Sequence, residues 1–145
     1  MEKKTEKTTT ELFEVMKAKK DYNEFFKEEI KELNFDTVNT YLETLLTQKK
    51  LNKAEVINKS NLNTNYAYQI FNGTKTNPGR DKILMLSFGM DLSLDETATL
   101  LKLCNLKGLY IRDPRDSIIM HSLMNHKSLM DTNELLDEYG LKILE

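Results

Sequence analysis

This 145-residue chain is expected to be all-α. Apolar residues recur at three- and four-residue spacing along most of its length. Short polar side chains stand where helices need caps. No stretch alternates apolar and polar residues with the period of two that a half-buried strand requires. With 39% apolar residues, the chain can bury a real core.

Residues 1–10 hold no apolar side chain after Met1 and are expected to be a disordered, threonine-rich leader carrying Thr5, Thr8, Thr9 and Thr10. Residues 11–35 form a helical arm. Leu12, Val15, Met16, Tyr22, Phe25, Phe26, Ile30 and Leu33 carry its apolar periodicity, with a break near Lys20-Asp21. Leu12, Phe13, Met16, Phe25 and Phe26 serve either as core, the preferred use, or as the seam of a homodimer. Asp36 is expected to cap a helix through about Lys50, with Val38, Tyr41, Leu42, Leu45 and Leu46 on one face.

Asn52 and Glu55 have capping-box spacing and start a short helix whose inner face is Ala54, Val56 and Ile57. It ends near Ser60. Asn61 stands at a sharp turn, and after glycine it is the residue that best tolerates a left-handed backbone. Leu62 follows as a buried plug. Asn63 caps a second helix, Thr64–Asn72, with Tyr66, Ala67, Ile70 and Phe71 inward and Gly73 ending it. After a Gly/Asn/Pro loop at 73–79, a helix runs Arg80–Phe88. Ser93 and Glu96 form a capping box for a helix through Cys104. Asp113-Pro114 places a cap and an N1 proline before a helix to about Asn125. Asp131 and Glu134 start the last helix, which Gly140 follows. Seven or eight helices are expected, in a core at 36–104 and a C-terminal helical extension at 105–145.

Two short helices joined at Asn61, the second starting in small polar side chains, have helix-turn-helix geometry, which can place a helix end in a DNA major groove. The string Val56-Ile57, Asn61-Leu62-Asn63, Tyr66-Ala67, Ile70-Phe71-Asn72-Gly73 and Asn77-Pro78 resembles the phage-repressor-like (XRE) family. Ile83-Leu84 and Gly89-Met90-Asp91-Leu92-Ser93-Leu94 resemble that family's later helices. The resemblance covers roughly residues 36–104 and implies a λ-repressor-like core. Ile57 stands where the family usually has alanine, and Asn61 where it usually has glycine. The extension is similar to one found in some helix-turn-helix proteins of low-GC Gram-positive bacteria.

Several classes of chemistry lack support in the sequence. No apolar run approaches the ~20 residues of a membrane span. The N-terminus, MEKKTEKTTT, is unlike a signal peptide, so a soluble, cytoplasmic chain is expected. Cys104 lies in an apolar run as a small buried hydrophobe. His121 and His126 stand about 140° apart on a helix and cannot share a metal from one face. There is no phosphate loop and no nucleophile elbow. No catalytic residue, cofactor or metal is expected, and the chain is read as a non-enzyme.

Charge distribution is more informative. Residues 49–82 carry seven cations against Glu55 and Asp81, a net +5 in a chain that totals −2, leaving −7 elsewhere. A basic motif on an acidic body is a footprint for an anionic partner, either an acidic protein or duplex DNA. Thr64, Asn65, Tyr68 and Gln69 occupy the first turns of the second helix, and Asn, Gln and Thr are base-reading residues. Lys53 and Lys75 flank them and Arg80 completes the basic rim. By resemblance, Asn72 fits a backbone-phosphate contact. No arginine lies between Lys50 and Arg80, so the commonest guanine contact is missing.

Thr5, Thr8, Thr9 and Thr10, flanked by Glu6 and Glu11, suit a Ser/Thr kinase. A phosphate there adds charge at a helix N-terminus. The cluster also resembles targets of membrane-linked Ser/Thr kinases that control envelope or capsule synthesis. Two functions therefore compete. One is a phosphorylation-switched adaptor whose basic face binds a protein such as a phosphatase. The other is a sequence-specific DNA-binding transcriptional regulator. The missing arginine, the acidic body and the threonine leader favour the adaptor.

Overall fold

In a computed structural model, residues 7–29 and 37–145 are described, and they form nine α-helices and no strand. The chain divides into two compact units, 1–36 and 37–145.

In the first unit, α1 spans Thr9–Ala18 and α2 spans Tyr22–Glu29, so the expected break falls at residues 19–21. Helix begins two residues before Glu11, because the Thr8 hydroxyl accepts from the Glu11 amide at 3.1 Å and caps α1. The core role expected for the arm holds for Phe25, which is 1% exposed. It fails for Phe13 and Met16, which are 53% and 44% exposed on a helix with no buried residue. Lys7 pairs with the buried Glu29 carboxylate, and Lys19 with Glu28 at 2.8 Å. The hydrogen bond to Glu28 raises the Lys19 ammonium above its ordinary value. Ile30, Leu33 and Asp36 lie outside the described residues.

The second unit begins with α3, Val38–Lys49. Its cap is Thr37 rather than Asp36, because Thr37 and Thr40 close a reciprocal capping box. Then come α4 (Lys53–Ser60) and α5 (Thr64–Phe71). Asn52 Oδ1 accepts from the Glu55 amide, and Asn63 Oδ1 from the Tyr66 amide, both at 3.1 Å. Between them Asn61 turns the chain at φ 55°, and Leu62 is buried. Val56 and Ile57 face inward, whereas Ala54 is exposed. Helix α6 (Arg80–Gly89) is the spine of the unit, with every residue from Ile83 to Gly89 buried. Helix α4 crosses it so closely that a Cβ on Gly89 would lie 2.0 Å from Ser60 Oγ and 2.6 Å from the Val56 carbonyl.

The Ser93–Glu96 box opens α7 (Leu94–Leu103), and Asp113 with Pro114 opens α8 (Pro114–Met124). Helix α9 (Leu129–Glu138) starts earlier than Asp131, because Ser128 accepts from the Asp131 amide at 3.0 Å and so takes the cap. Five helices end alike. Lys50, Asp91, Asn105, His126 and Gly140 have positive φ, and the next amide reaches back to the carbonyl five residues earlier. Only the last of these five is a glycine.

Ile119, Leu123, Leu129, Leu136 and Leu144 join the same apolar cluster as Leu42, Ile70 and Ile83. The extension at 105–145 therefore completes the core at 37–104. Two reciprocal ion pairs fasten it. Arg80 grips Asp116 through Nη1–Oδ1 at 3.1 Å and Nη2–Oδ2 at 2.9 Å. Arg115 grips Asp81 in the same two-pronged way at 3.0 and 2.9 Å. Each guanidinium also donates to two carbonyls, Lys107 and Gly108 for Arg80, Lys142 and Ile143 for Arg115.

Candidate partner-binding face

Helix α5 is held by its inner face. Ala67, Ile70 and Phe71 are at most 2% exposed, and Asn63 satisfies its first turn. That anchoring leaves Thr64, Asn65, Tyr68 and Gln69 on the outer face. All four are exposed, and none makes a side-chain hydrogen bond or ion pair among the described residues. Tyr68, 41% exposed, sits in the middle of this polar strip.

The flanking cations differ in how far they are committed. Lys75 Nζ lies 5.3 Å from the centre of the Tyr66 ring, an attraction that leaves its charge facing solvent. Lys53 Nζ binds Glu43 at 2.9 Å and lies 5.2 Å from the Phe71 ring centre, so much of its charge is answered within the chain. Lys49 is paired with Glu96 at 3.0 Å. Asn72 Oδ1 accepts from the Thr74 amide at 2.9 Å, which orders the turn after α5. Arg80 is committed within the chain, because its guanidinium donates to Asp116 and to two carbonyls. The local +5 thus overstates the field at α5.

A small cavity of about 250 Å³ opens beside the strip, lined by Ile57, Asn58, Asn61, Leu62, Thr64 and Tyr68 among others. Asn58 and Asn61 also line a larger groove of about 1030 Å³ between the end of α4, the end of α6 and α9.

At the other end of the chain, Thr8 donates to Glu11 Oε1 at 3.1 Å while capping α1. Thr9 and Thr10 are exposed in the first helical turn, and Thr5 lies outside the described residues. His126 Nδ1 meets Asp91 Oδ1 at 2.9 Å, joining the α8–α9 loop to the end of α6. The Cys104 thiol is buried, which pushes its pKa up to about 11. Among the described residues, no group of three His, Cys, Asp or Glu side chains could hold a metal, and no helix is long and apolar enough to cross a membrane.

The paired clamp escaped sequence reasoning. Its one signal is the dipeptide Arg-Asp, which stands in the first turn of a helix at 80–81 and at 115–116 and occurs once more at 112–113, just ahead of α8. Comparison with family models, with curated proteins and with solved structures finds no match for this chain.

Proposed function

We propose that this protein is a non-catalytic regulator that recognises an acidic protein partner through the outer face of α5. The observation that carries this reading is the uncommitted polar strip Thr64, Asn65, Tyr68 and Gln69 on a helix anchored from behind. A solvent-facing tyrosine among amides suits a protein interface, where tyrosine is enriched and loses little entropy on burial. Withdrawal of Arg80, with Lys49 and Lys53 neutralised by Glu96 and Glu43, leaves few free cations beside α5, which suits a partner offering a few carboxylates better than the continuous row of phosphates on a duplex. The resemblance to helix-turn-helix domains supports α5 as the recognition element. A Ser/Thr kinase acts on Thr5, Thr8, Thr9 or Thr10, and phosphate beside the N-terminus of α1 is favoured by the helix dipole.

A photo-crosslinking residue in place of Tyr68, expressed in the native host, tests the reading. The expected product is a discrete protein adduct that disappears when Asn65 and Gln69 are both changed to alanine. An adduct unchanged by those substitutions, or none at all, removes the proposal. Mass spectrometry of the same material should find phosphate on Thr5–Thr10, and unmodified threonines under all growth conditions would remove the switch.

Duplex DNA is the second reading. It is favoured by Asn65 and Gln69 in the open first turns of α5, with the exposed Lys75 at the end of that helix. Affinity for random duplex that falls log-linearly with salt, at about −0.9 per neutralised phosphate, would establish it.

A further inference from the structure

The large groove is lined by charges of both signs. Helix α9 forms one wall with Met130, Asn133, Glu134 and Asp137. The end of α4 and the loop before α9 supply Asn58, Lys59 and Lys127. Phe88, Met90 and Leu129 make an apolar floor and are themselves at most 6% exposed. Glu134, Asp137, Lys59 and Lys127 make no ion pair or side-chain hydrogen bond among the described residues. By contrast, Asp91 and His126, at the rim, satisfy each other. The groove lining therefore carries exposed acids and bases, without partners among the described residues, around an apolar bed. Convergent polar groups over an apolar floor are what a binding cleft requires.

The charge pattern selects the occupant. A purely acidic ligand meets Glu134 and Asp137, and a purely basic one meets Lys59 and Lys127. An apolar ligand leaves both walls desolvated. The α9 stretch from Leu129 to Asp137 is about 12 Å long at 1.5 Å per residue, matching three or four residues of extended chain at about 3.3 Å each. Asn58 and Asn61 border both this groove and the small cavity beside Thr64 and Tyr68, so a chain lying here runs on to the α5 strip.

We infer that the groove binds an extended polypeptide segment with an apolar centre between one basic and one acidic residue, the basic residue against α9 and the acidic one against Lys59 and Lys127. This rests on the reading of the chain as a protein-binding regulator and specifies the second half of its docking surface.

The test uses the full chain, isotope-labelled, titrated with the peptides acetyl-Lys-Leu-Leu-Glu-amide and acetyl-Glu-Leu-Leu-Lys-amide to about 10 mM. That range reads the millimolar affinities accessible to so small a probe. One of the two should shift the Met130 methyl and the Asn58 and Asn133 amide signals. The acetyl-Gln-Leu-Leu-Gln-amide control should bind at least about tenfold more weakly, as expected when complementary charges are removed. Combined Glu134→Gln and Asp137→Asn changes should abolish the difference, while Gln69→Ala should leave it intact. That last arm separates failure of the groove from failure of the α5 reading. Equal binding of charged and neutral peptides, no shifts at all, or equivalent shifts from free L-leucine, the signature of a small-molecule site, each overturns the inference.

Discussion

Removing the Arg80 guanidinium should cost this fold a large part of its stability. Asp116 is 3% exposed, and its carboxylate accepts two bonds from Arg80 and one from the Tyr110 amide at 3.0 Å. Arg80→Ala leaves that buried charge with the amide alone and also removes two donors from the Lys107 and Gly108 carbonyls. Breaking a buried pair by deleting one partner costs about 3–5 kcal/mol. Whole domains have about 5–15 kcal/mol to lose. At about 2–4 °C per kcal/mol for a chain near this size, the melting temperature should fall by roughly 10 °C. The double variant Arg80→Met/Asp116→Leu should recover most of the loss, because apolar replacement of both members of such a pair is often neutral or stabilising. Urea unfolding followed by circular dichroism gives all the corners of the cycle. A loss below about 1 kcal/mol for Arg80→Ala, or strictly additive effects of Arg80→Ala and Asp116→Ala, would refute the clamp. It would also return Arg80 to the pool of residues free to meet a partner.

Other substitutions probe other joints. Gly89→Ala should destabilise by about 1–3 kcal/mol through overpacking, since the new methyl meets Ser60 and the Val56 carbonyl. A melting temperature at or above that of the parent would show that α4 is free to back away. Asn61→Gly should hold or raise stability and Asn61→Ala should lower it by about 1 kcal/mol, because φ at this position is 55°. Equal stability of the two variants contradicts that backbone. The Cys104 thiol should resist Ellman's reagent at pH 8 until the chain unfolds, and rapid native reaction would mean it is not buried. Its folded pKa of about 11 lies above the ordinary 9.0, so the thiolate favours the unfolded chain. This contribution to stability should be flat below pH 9 and decline as pH rises from 9 to 11.

Local chemistry was legible in the sequence and distant chemistry was not. Asn52, Asn63, Ser93 with Glu96, and Asp113 with Pro114 begin helices where their spacing indicates, because a cap and the amide it serves lie three residues apart. The misses at Asp36 and Asp131 arise where several capping residues stand close together, and only the geometry chooses Thr37 and Ser128. Four of the five helices that share one stop signal use lysine, aspartate, asparagine or histidine in the left-handed turn, so no glycine announces them. The commitment of Arg80 within the chain is hidden in the sequence for a different reason. Its carboxylate lies 36 residues away, and nothing near position 80 indicates that the charge is already answered. The strip at Thr64–Gln69 was recognisable because helical periodicity places it opposite Ala67, Ile70 and Phe71.

The bite of Gly89 into the last turn of α4 has a thermodynamic corollary. With backbone against side chain at that crossing, the Asn58–Asn61 corner cannot shift without unseating the spine helix beneath it. On the proposed reading, a partner on α5 or beside α9 therefore meets a preset mould. The freezing of motion on association falls on the visitor, so stiffening the visitor, by cyclisation for instance, should be the most direct route to tighter binding.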